Sequence, residues 1–163
     1  RRPFTVAADA ADYPPFDPAA KTITYGPYHG YTLMDRAGRT PRYGFGHGLS
    51  YSEFAYRALR VRRTPAALEV QVSVRNTGVM EADEVVLAFV RRPPIGEGPV
   101  RRLRAFTRLT LRPGEQKTVS LTIPLCDLRR WDDAAKVWRD EAGEHVVEIA
   151  PRTGPRLEAR VRL

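Results

Sequence analysis

Leu68-Glu69-Val70-Gln71-Val72-Ser73-Val74-Arg75 is the stretch that decides the architecture. Apolar side chains take every second position, and charged or polar ones fill the rest. Successive side chains of a strand point to opposite faces, so this is a β-strand with one buried and one wet face. Working outward toward the C-terminus, Asn76-Thr77-Gly78 supplies turn chemistry. The run from Val85 to Val90 (VVLAFV) is continuously apolar, as a strand covered on both faces would be. Pro93-Pro94 and Gly96-Glu97-Gly98-Pro99 break the chain, and Leu103, Ala105, Phe106, Leu109 and Leu111 mark a less regular strand. Arg112-Pro113-Gly114-Glu115 reads as a type II turn, with proline second and glycine third, where φ must be positive. Val119, Leu121 and Ile123 alternate with Ser120 and Thr122, Val147 and Ile149 follow, and Leu157, Ala159, Val161 and Leu163 close the series. Six or seven short strands at near-regular spacing, with no convincing amphipathic helix, predict an all-β, antiparallel β-sandwich over residues 53–163. Leu68, Val70, Val72, Val74, Leu87, Phe89, Val119, Leu121 and Ile123 are its expected core.

Toward the N-terminus the character changes. Residues 1–52 hold six of the seven tyrosines and half of the glycines, and almost no period-2 alternation. Pro14-Pro15-Phe16-Asp17-Pro18 must be extended or turning, because each proline fixes φ and removes a backbone donor. This part reads as an extended connector that wraps over something else, with an aromatic and glycine-rich section over residues 25–52. The chain opens Arg1-Arg2-Pro3 without an initiator methionine, which reads as a trimmed or processed piece.

Composition narrows the classes. With 42% hydrophobic and 28% charged residues the 163-residue chain is not a disordered tail. No apolar window of about 18 residues is present, so no membrane-spanning helix is expected. Cys126 is the single cysteine, which excludes an internal disulfide framework and a Cys-rich metal site and leaves periplasmic, secreted and cytoplasmic locations open. Following Leu125 at a strand end, it reads as a small buried hydrophobe. The net charge of +8 comes from 27 basic residues, of which only Lys21, Lys117 and Lys136 are lysines. The arginines are scattered in pairs such as Arg62-Arg63, Arg91-Arg92, Arg101-Arg102 and Arg129-Arg130, a solvated surface and not the concentrated footprint of a nucleic-acid binder. A basic module for polyanions is the weaker alternative that this charge allows.

Chemistry-bearing patterns do not assemble. Gly44-Phe45-Gly46-His47-Gly48 lacks the strand, the Gly-Lys-Ser/Thr and the helix of a phosphate loop. His29, His47 and His145 have no metal-ligand spacing, with His145 on a strand; Ser50 does not sit in Gly-x-Ser-x-Gly. Asp132-Asp133 and Asp140-Glu141 are sequence neighbours, which point apart in extended chain and read as turn or surface carboxylates. No catalytic, cofactor-binding or metal residue is assigned, and no cofactor is expected. The aromatics remain. Tyr28, Tyr31, Phe45, His47 and Tyr51 are candidate interdomain docking residues, since tyrosine buries large area while keeping a polar tip. Trp131 and Trp138 are either loop anchors or, as flat rings suited to a pyranose face, candidate glycan contacts.

The same connector carries a resemblance. Tyr28-His29-Gly30-Tyr31, then Asp35, then Phe45-Gly46-His47-Gly48-Leu49-Ser50-Tyr51 with Phe54, resembles the C-terminal region of glycoside hydrolase family 3 enzymes, the β-glucosidases, β-xylosidases and their relatives. In that family a GYR-type strand and an FGxGLSYT-type motif lead into a fibronectin type III-like domain. Arg75-Asn76-Thr77-Gly78 resembles its NTG turn, Glu84 to Val90 its EVVQLYV strand, Leu103-Arg104-Ala105-Phe106 its L-x-x-F segment, and Leu111 to Glu115 its LxPGE turn. Arg2-Pro3-Phe4-Thr5 resembles the last strand of a preceding α/β sandwich domain. Ala88, Thr32-Leu33 and Ala150-Pro151-Arg152-Thr153-Gly154 depart from the family pattern. The resemblance implies an immunoglobulin/fibronectin type III-like sandwich over 53–163, a connector over 25–52, and the tail of the preceding domain with its linker over 1–24. The family's nucleophile lies in an Asp-Trp context that is missing here, and its acid/base comes from a domain of which only a scrap could remain, so no catalytic residue carries over. A non-catalytic accessory domain docked to the catalytic domains of a parent glycosidase is the implied function. A free-standing carbohydrate-binding module that holds polysaccharide is the alternative; neither nucleic acid nor membrane is an expected partner.

Overall fold

The computed structural model describes residues 3–94, 98–151 and 154–163. The expected stretches over Arg2, Gly96-Glu97 and Arg152-Thr153 therefore lie partly outside the described residues. Strands β1 (Phe54–Arg63), β2 (Ala67–Asn76), β3 (Ala82–Arg91), β4 (Arg101–Leu111), β5 (Gln116–Pro124), β6 (Arg130–Asp132), β7 (Val137–Arg139), β8 (Glu144–Ile149) and β9 (Leu157–Arg162) follow one another, more than the six or seven read from spacing. They form a three-stranded sheet of order β1-β2-β5, a four-stranded sheet of order β4-β3-β8-β9, and the separate β6-β7 hairpin. All named pairings are antiparallel. The fold is the expected antiparallel sandwich.

The core lies between the sheets. Leu68, Val70, Val72 and Val74 of β2 are at most 1% exposed and meet Val119, Leu121 and Ile123 of β5 on the same face. Each such side chain contributes roughly 1.5–3 kcal/mol of apolar burial, enough for one strand to anchor its sheet. Opposite them stand Val86, Ala88 and Val90 of β3, with Val147 and Ile149 of β8. This corrects the expected core on β3. Leu87 and Phe89 are buried but stand outside the inter-sheet cluster, Phe89 under Tyr31 and Phe45 of the connector. The continuous apolar run does mark a strand covered twice. Alternation alone could not say which half of it faced which cover.

Asn76-Thr77-Gly78 ties the two sheets together. Asn76 ends β2 fully buried, and its side chain makes four hydrogen bonds. Its Oδ1 accepts from the Ser52 hydroxyl (2.6 Å) and the Gly78 N–H (2.9 Å), while Nδ2 donates to the carbonyls of Met80 (2.7 Å) and Leu111 (2.9 Å). The Asn76 carbonyl accepts from Gly114 N–H, and its N–H donates to the Glu115 carbonyl. Thus the Arg112–Glu115 turn that carries the chain from one sheet to the other is held at both ends, with Gly114 at φ +75°. Gly78 is there for space. A Cβ on it would stand 2.1 Å from Ser52 Oγ and 2.9 Å from the Glu53 nitrogen.

Within the segment expected to be extended, residues 31–37 instead form a helix, α1 (Tyr31–Ala37). Gly30 enters it at φ 56°, and Gly38 leaves it left-handed, donating to the carbonyls of Met34 and Asp35. Thr32 Oγ1 accepts from the His29 N–H and donates to the His29 carbonyl, closing the first turn. Seven residues are two turns, too few to establish a 3.6-residue periodicity, and only Met34 is buried. The family-like Gly30-Tyr31 is thus a helix start and not a strand.

Candidate functional site

Two surfaces stand out, and the first is the seam between connector and sandwich. Phe89 projects from β3 into the rings of Tyr31 (5.5 Å between centroids) and Phe45 (6.2 Å), which themselves meet edge to face at 5.3 Å. Edge-to-face pairs at such distances add about 0.5–1.5 kcal/mol beyond area burial. The phenol oxygens are placed as well. Tyr31 Oη accepts from the Leu103 N–H (3.0 Å) and Tyr28 Oη from the Gly98 N–H (2.9 Å), while the Arg36 guanidinium lies 4.2 Å over the Tyr28 ring. Three of the five docking candidates, Tyr28, Tyr31 and Phe45, therefore face this chain's own sandwich. His47 packs against Tyr43 at 4.8 Å with the two rings tilted by 46°, and Tyr43 bridges through its backbone to Val6.

Charge closes the seam. Arg101 donates from Nε and Nη2 to the two oxygens of Asp35 on α1, both at 3.0 Å, and stands 4.8 Å over the Phe89 ring. Its Nη1 reaches Glu148 at 3.3 Å, where Arg91 (3.2 Å) and Arg156 (3.4 Å) also converge. Arg101 is only 10% exposed at its side chain and Glu148 3%. Arg92 is likewise enclosed, paired with a buried Glu141 at 2.9 Å. The expected uniformly solvated arginine surface is corrected at Arg92 and Arg101, and the expected surface carboxylate at Glu141. Sequence reasoning missed the cluster because its members are 66 and 47 residues apart; the one available signal was an Arg beside an alternating strand start.

Tyr51 differs from the other candidates. It is 90% exposed, and Leu49 beside it is 96% exposed. Their loop is nonetheless tethered, with Gly46 buried before it and Ser52 buried against Asn76 after it. Phe16 (70%) and Tyr25 (79%) extend the exposed apolar character through the N-terminal segment.

The second surface is a groove of about 490 Å³ beside the β6-β7 hairpin. Trp131 and Trp138 are cross-strand partners, edge to face at 5.4 Å, and remain 42% and 63% exposed. Both line the groove with Arg102, Arg104 and His145. The hairpin turn is fixed by Asp132, whose carboxyl the Ala135 N–H and then the Arg139 guanidinium hold below the usual carboxylate range. Cys126, expected buried, is exposed, because it sits in the turn Leu125–Leu128 after β5 and Leu128 takes the buried position. His29 is exposed and His145 buried in β8, so the three histidines do not meet. Among the described residues no group of three His, Cys, Asp or Glu could hold a metal, and no helix is long and apolar enough to cross a membrane.

Comparison with known proteins adds the following. Residues 84–152 match the family described as fibronectin type III-like domain. The chain is 41% identical over 134 residues to "Probable beta-glucosidase J" of Aspergillus fumigatus, covering 74% of this chain and 15% of that protein. It is 30% identical to "Probable beta-glucosidase M" of Emericella nidulans, over 91% of this chain and 23% of that one. Among solved structures, a beta-D-glucoside glucohydrolase from Trichoderma reesei superposes with a TM-score of 0.88 at 27% identity, over 98% of this chain and 26% of that one. The β-glucosidase DesR from Streptomyces venezuelae, in complex with D-glucose, gives 0.81 at 31% identity over 99% of this chain and 21% of that one. The chain thus spans between about a seventh and a quarter of the length of these relatives.

Proposed function

The chain belongs to the fibronectin type III-like region of glycoside hydrolase family 3 enzymes of the β-glucosidase type, and from that premise we propose that it serves as a docking and stabilising domain of a larger β-glycosidase. The parent's reaction is retaining hydrolysis of β-glucosides or β-xylosides, which needs a carboxylate nucleophile and a carboxylic acid facing each other across the sugar. Those carboxylates belong to the parent's catalytic domains, and this chain is non-catalytic on its own. In this reading residues 1–24 continue from the preceding domain, 25–52 connect, and 53–163 are the sandwich.

One observation carries the docking reading: Leu49 and Tyr51 stand almost fully exposed on a loop tethered at both ends. Tyr28, Tyr31, Phe45 and His47 act indirectly, by fixing that loop and its connector to the sandwich. An apolar anchor buried at the centre of an interface is worth about 2 kcal/mol or more. In the full-length parent, Leu49→Asp with Tyr51→Asp is expected to split one melting transition into two, the sandwich separating from the rest. The 163-residue chain carrying the same pair should melt as before, since neither side chain is buried in it. A parent variant that melts as a single unit at the original temperature would overturn the docking role. Release of p-nitrophenol from an aryl β-glucoside by the isolated chain, above a heat-killed control, would overturn the non-catalytic one.

A further inference from the structure

Arg102 and Arg104 of β4 both line the groove, Arg104 as the extra residue of a bulge that leaves it without a partner position on β3. Neither guanidinium has a hydrogen-bond or ion-pair partner among the described residues, although Arg104 is half-buried. The carboxylates along the groove are already engaged. Glu141 takes Arg92 and lies 3.4 Å from Arg130, and Asp133 takes Lys136. Burial first, and the neighbouring Arg102 charge second, press the Arg104 pKa down from its usual value, while Asp127, Tyr31 and Glu141 offset part of this. Two like charges crowded with no directly paired carboxylate, only the more distant Asp127 and Glu141, are a cost that the fold retains.

The rest of the groove is of a different chemistry. Trp131 and Trp138, 42% and 63% exposed, stand in its wall edge to face with one another. His145, only 1% exposed, also lines it. Its Nδ1 lies 3.3 Å from the Gly143 carbonyl, and its Nε2 is buried with no hydrogen-bond partner among the described residues. The groove continues past Arg102, Arg104 and Trp138 toward Cys126 and Asp127 through a further space of about 380 Å³. A guanidinium pair asks for a planar carboxylate, which it can grip through parallel N–H donors. Indole faces ask for an apolar C–H surface, and an unpartnered imidazole nitrogen asks for a hydroxyl. One ligand class offers all three.

We propose that the groove between β4 and the β6-β7 hairpin binds an acidic saccharide, a glycan bearing a uronic acid, with its carboxylate on Arg102 and Arg104 and a pyranose face on Trp131 and Trp138. The docking loop is a separate surface, so this site stands or falls independently of the docking role. Its volume lies within the 300–1,000 Å³ of ordinary small-ligand sites.

Titration of the 163-residue chain with a galacturonic acid trisaccharide, followed by tryptophan fluorescence and calorimetry, tests it. Saturable binding is expected that shifts the indole emission and is weakened about tenfold or more in Arg104→Gln. The same variant should melt at or above the parent temperature, because a crowded, unpartnered charge is gone; retained stability with lost binding separates a ligand role from a structural one. Trp138→Ala should weaken the trisaccharide while leaving inorganic phosphate unaffected. Equal affinity for a neutral cello-oligosaccharide would overturn the carboxylate assignment. Equal affinity for inorganic phosphate would reduce the site to a bare anion patch and overturn the sugar. No saturable binding of the trisaccharide overturns the proposal outright.

Discussion

Asn76→Ala is expected to cost the sandwich about 4 kcal/mol, because it strips four partners at once. Alanine leaves the Met80 and Leu111 carbonyls, the Gly78 N–H and the Ser52 hydroxyl without the side-chain atoms that pair them. Each lost bond is worth about 1 kcal/mol net, and a buried group left unsatisfied costs about 1–3 kcal/mol, so four kilocalories is a middle value. For a domain of this size one kilocalorie shifts the melting midpoint by roughly 2–4 °C, which predicts a fall of about 8–16 °C in calorimetry. Thr77→Ala, at the exposed neighbour, should move it by no more than about 2 °C and serves as the control. A similar small shift for both variants would mean that the Asn76 knot does not hold the two sheets. Asn76→Asp does not rescue: it keeps the acceptor side but turns an oxygen toward two carbonyls.

Arg101→Ala is expected to cost about 1.5–3 kcal/mol, the loss of its charged hydrogen bonds to a partly exposed Asp35 and of one of the three arginine contacts of Glu148. The loss is unevenly distributed, and that is its diagnostic. Asp35 on α1 loses both of its guanidinium bonds, whereas Glu148 keeps Arg91 and Arg156. Amide exchange should therefore accelerate first in Met34 to Gly38, with the β2 amides protected until global unfolding. Asp35→Asn retains the Arg101–Glu148 contact and should release the helix at a smaller global cost of about 1 kcal/mol. If α1 and β2 exchange together in Arg101→Ala, the connector and the sandwich are one cooperative unit and Arg101 is not the hinge pin between them.

These residues also show what a sequence discloses. Leu68 to Val74 betrays its strand because one face meets a core and the other meets water, so the physics is written at period two. Val85 to Val90 betrays double burial for the same reason, but identical apolar side chains on both faces erase the phase, and Leu87 and Phe89 were assigned to the wrong cover. The turn at Asn76-Thr77-Gly78 is legible from composition; that Asn76 reaches Ser52 on one side and Leu111 on the other is not, since tertiary partners leave no local trace. Arg101 reads from the sequence as a solvent-facing charge because arginine usually is, and nothing in the sequence singles out Glu148. Their burial depends on each other and on Asp35, three positions far apart in the chain. Of the docking candidates, Tyr28, Tyr31 and Phe45 were found by their aromatic crowding, yet the same crowding could not distinguish rings that cover this sandwich from Tyr51, which covers nothing in it. The paired Arg102 and Arg104 were visible as residues, and their lack of partners only as geometry.

The double cover of β3 fixes how short this polypeptide can be cut. A version begun at Phe54 would keep every strand and still lose Tyr31 and Phe45, the roof over Phe89. Phe89 would then face water beside the long strand β4, an edge of its sheet among the described residues. Such a truncation should pair with copies of itself as its concentration rises. A fragment that starts upstream of Tyr28 keeps the roof over Phe89 and is expected to stay dispersed where the shorter one associates.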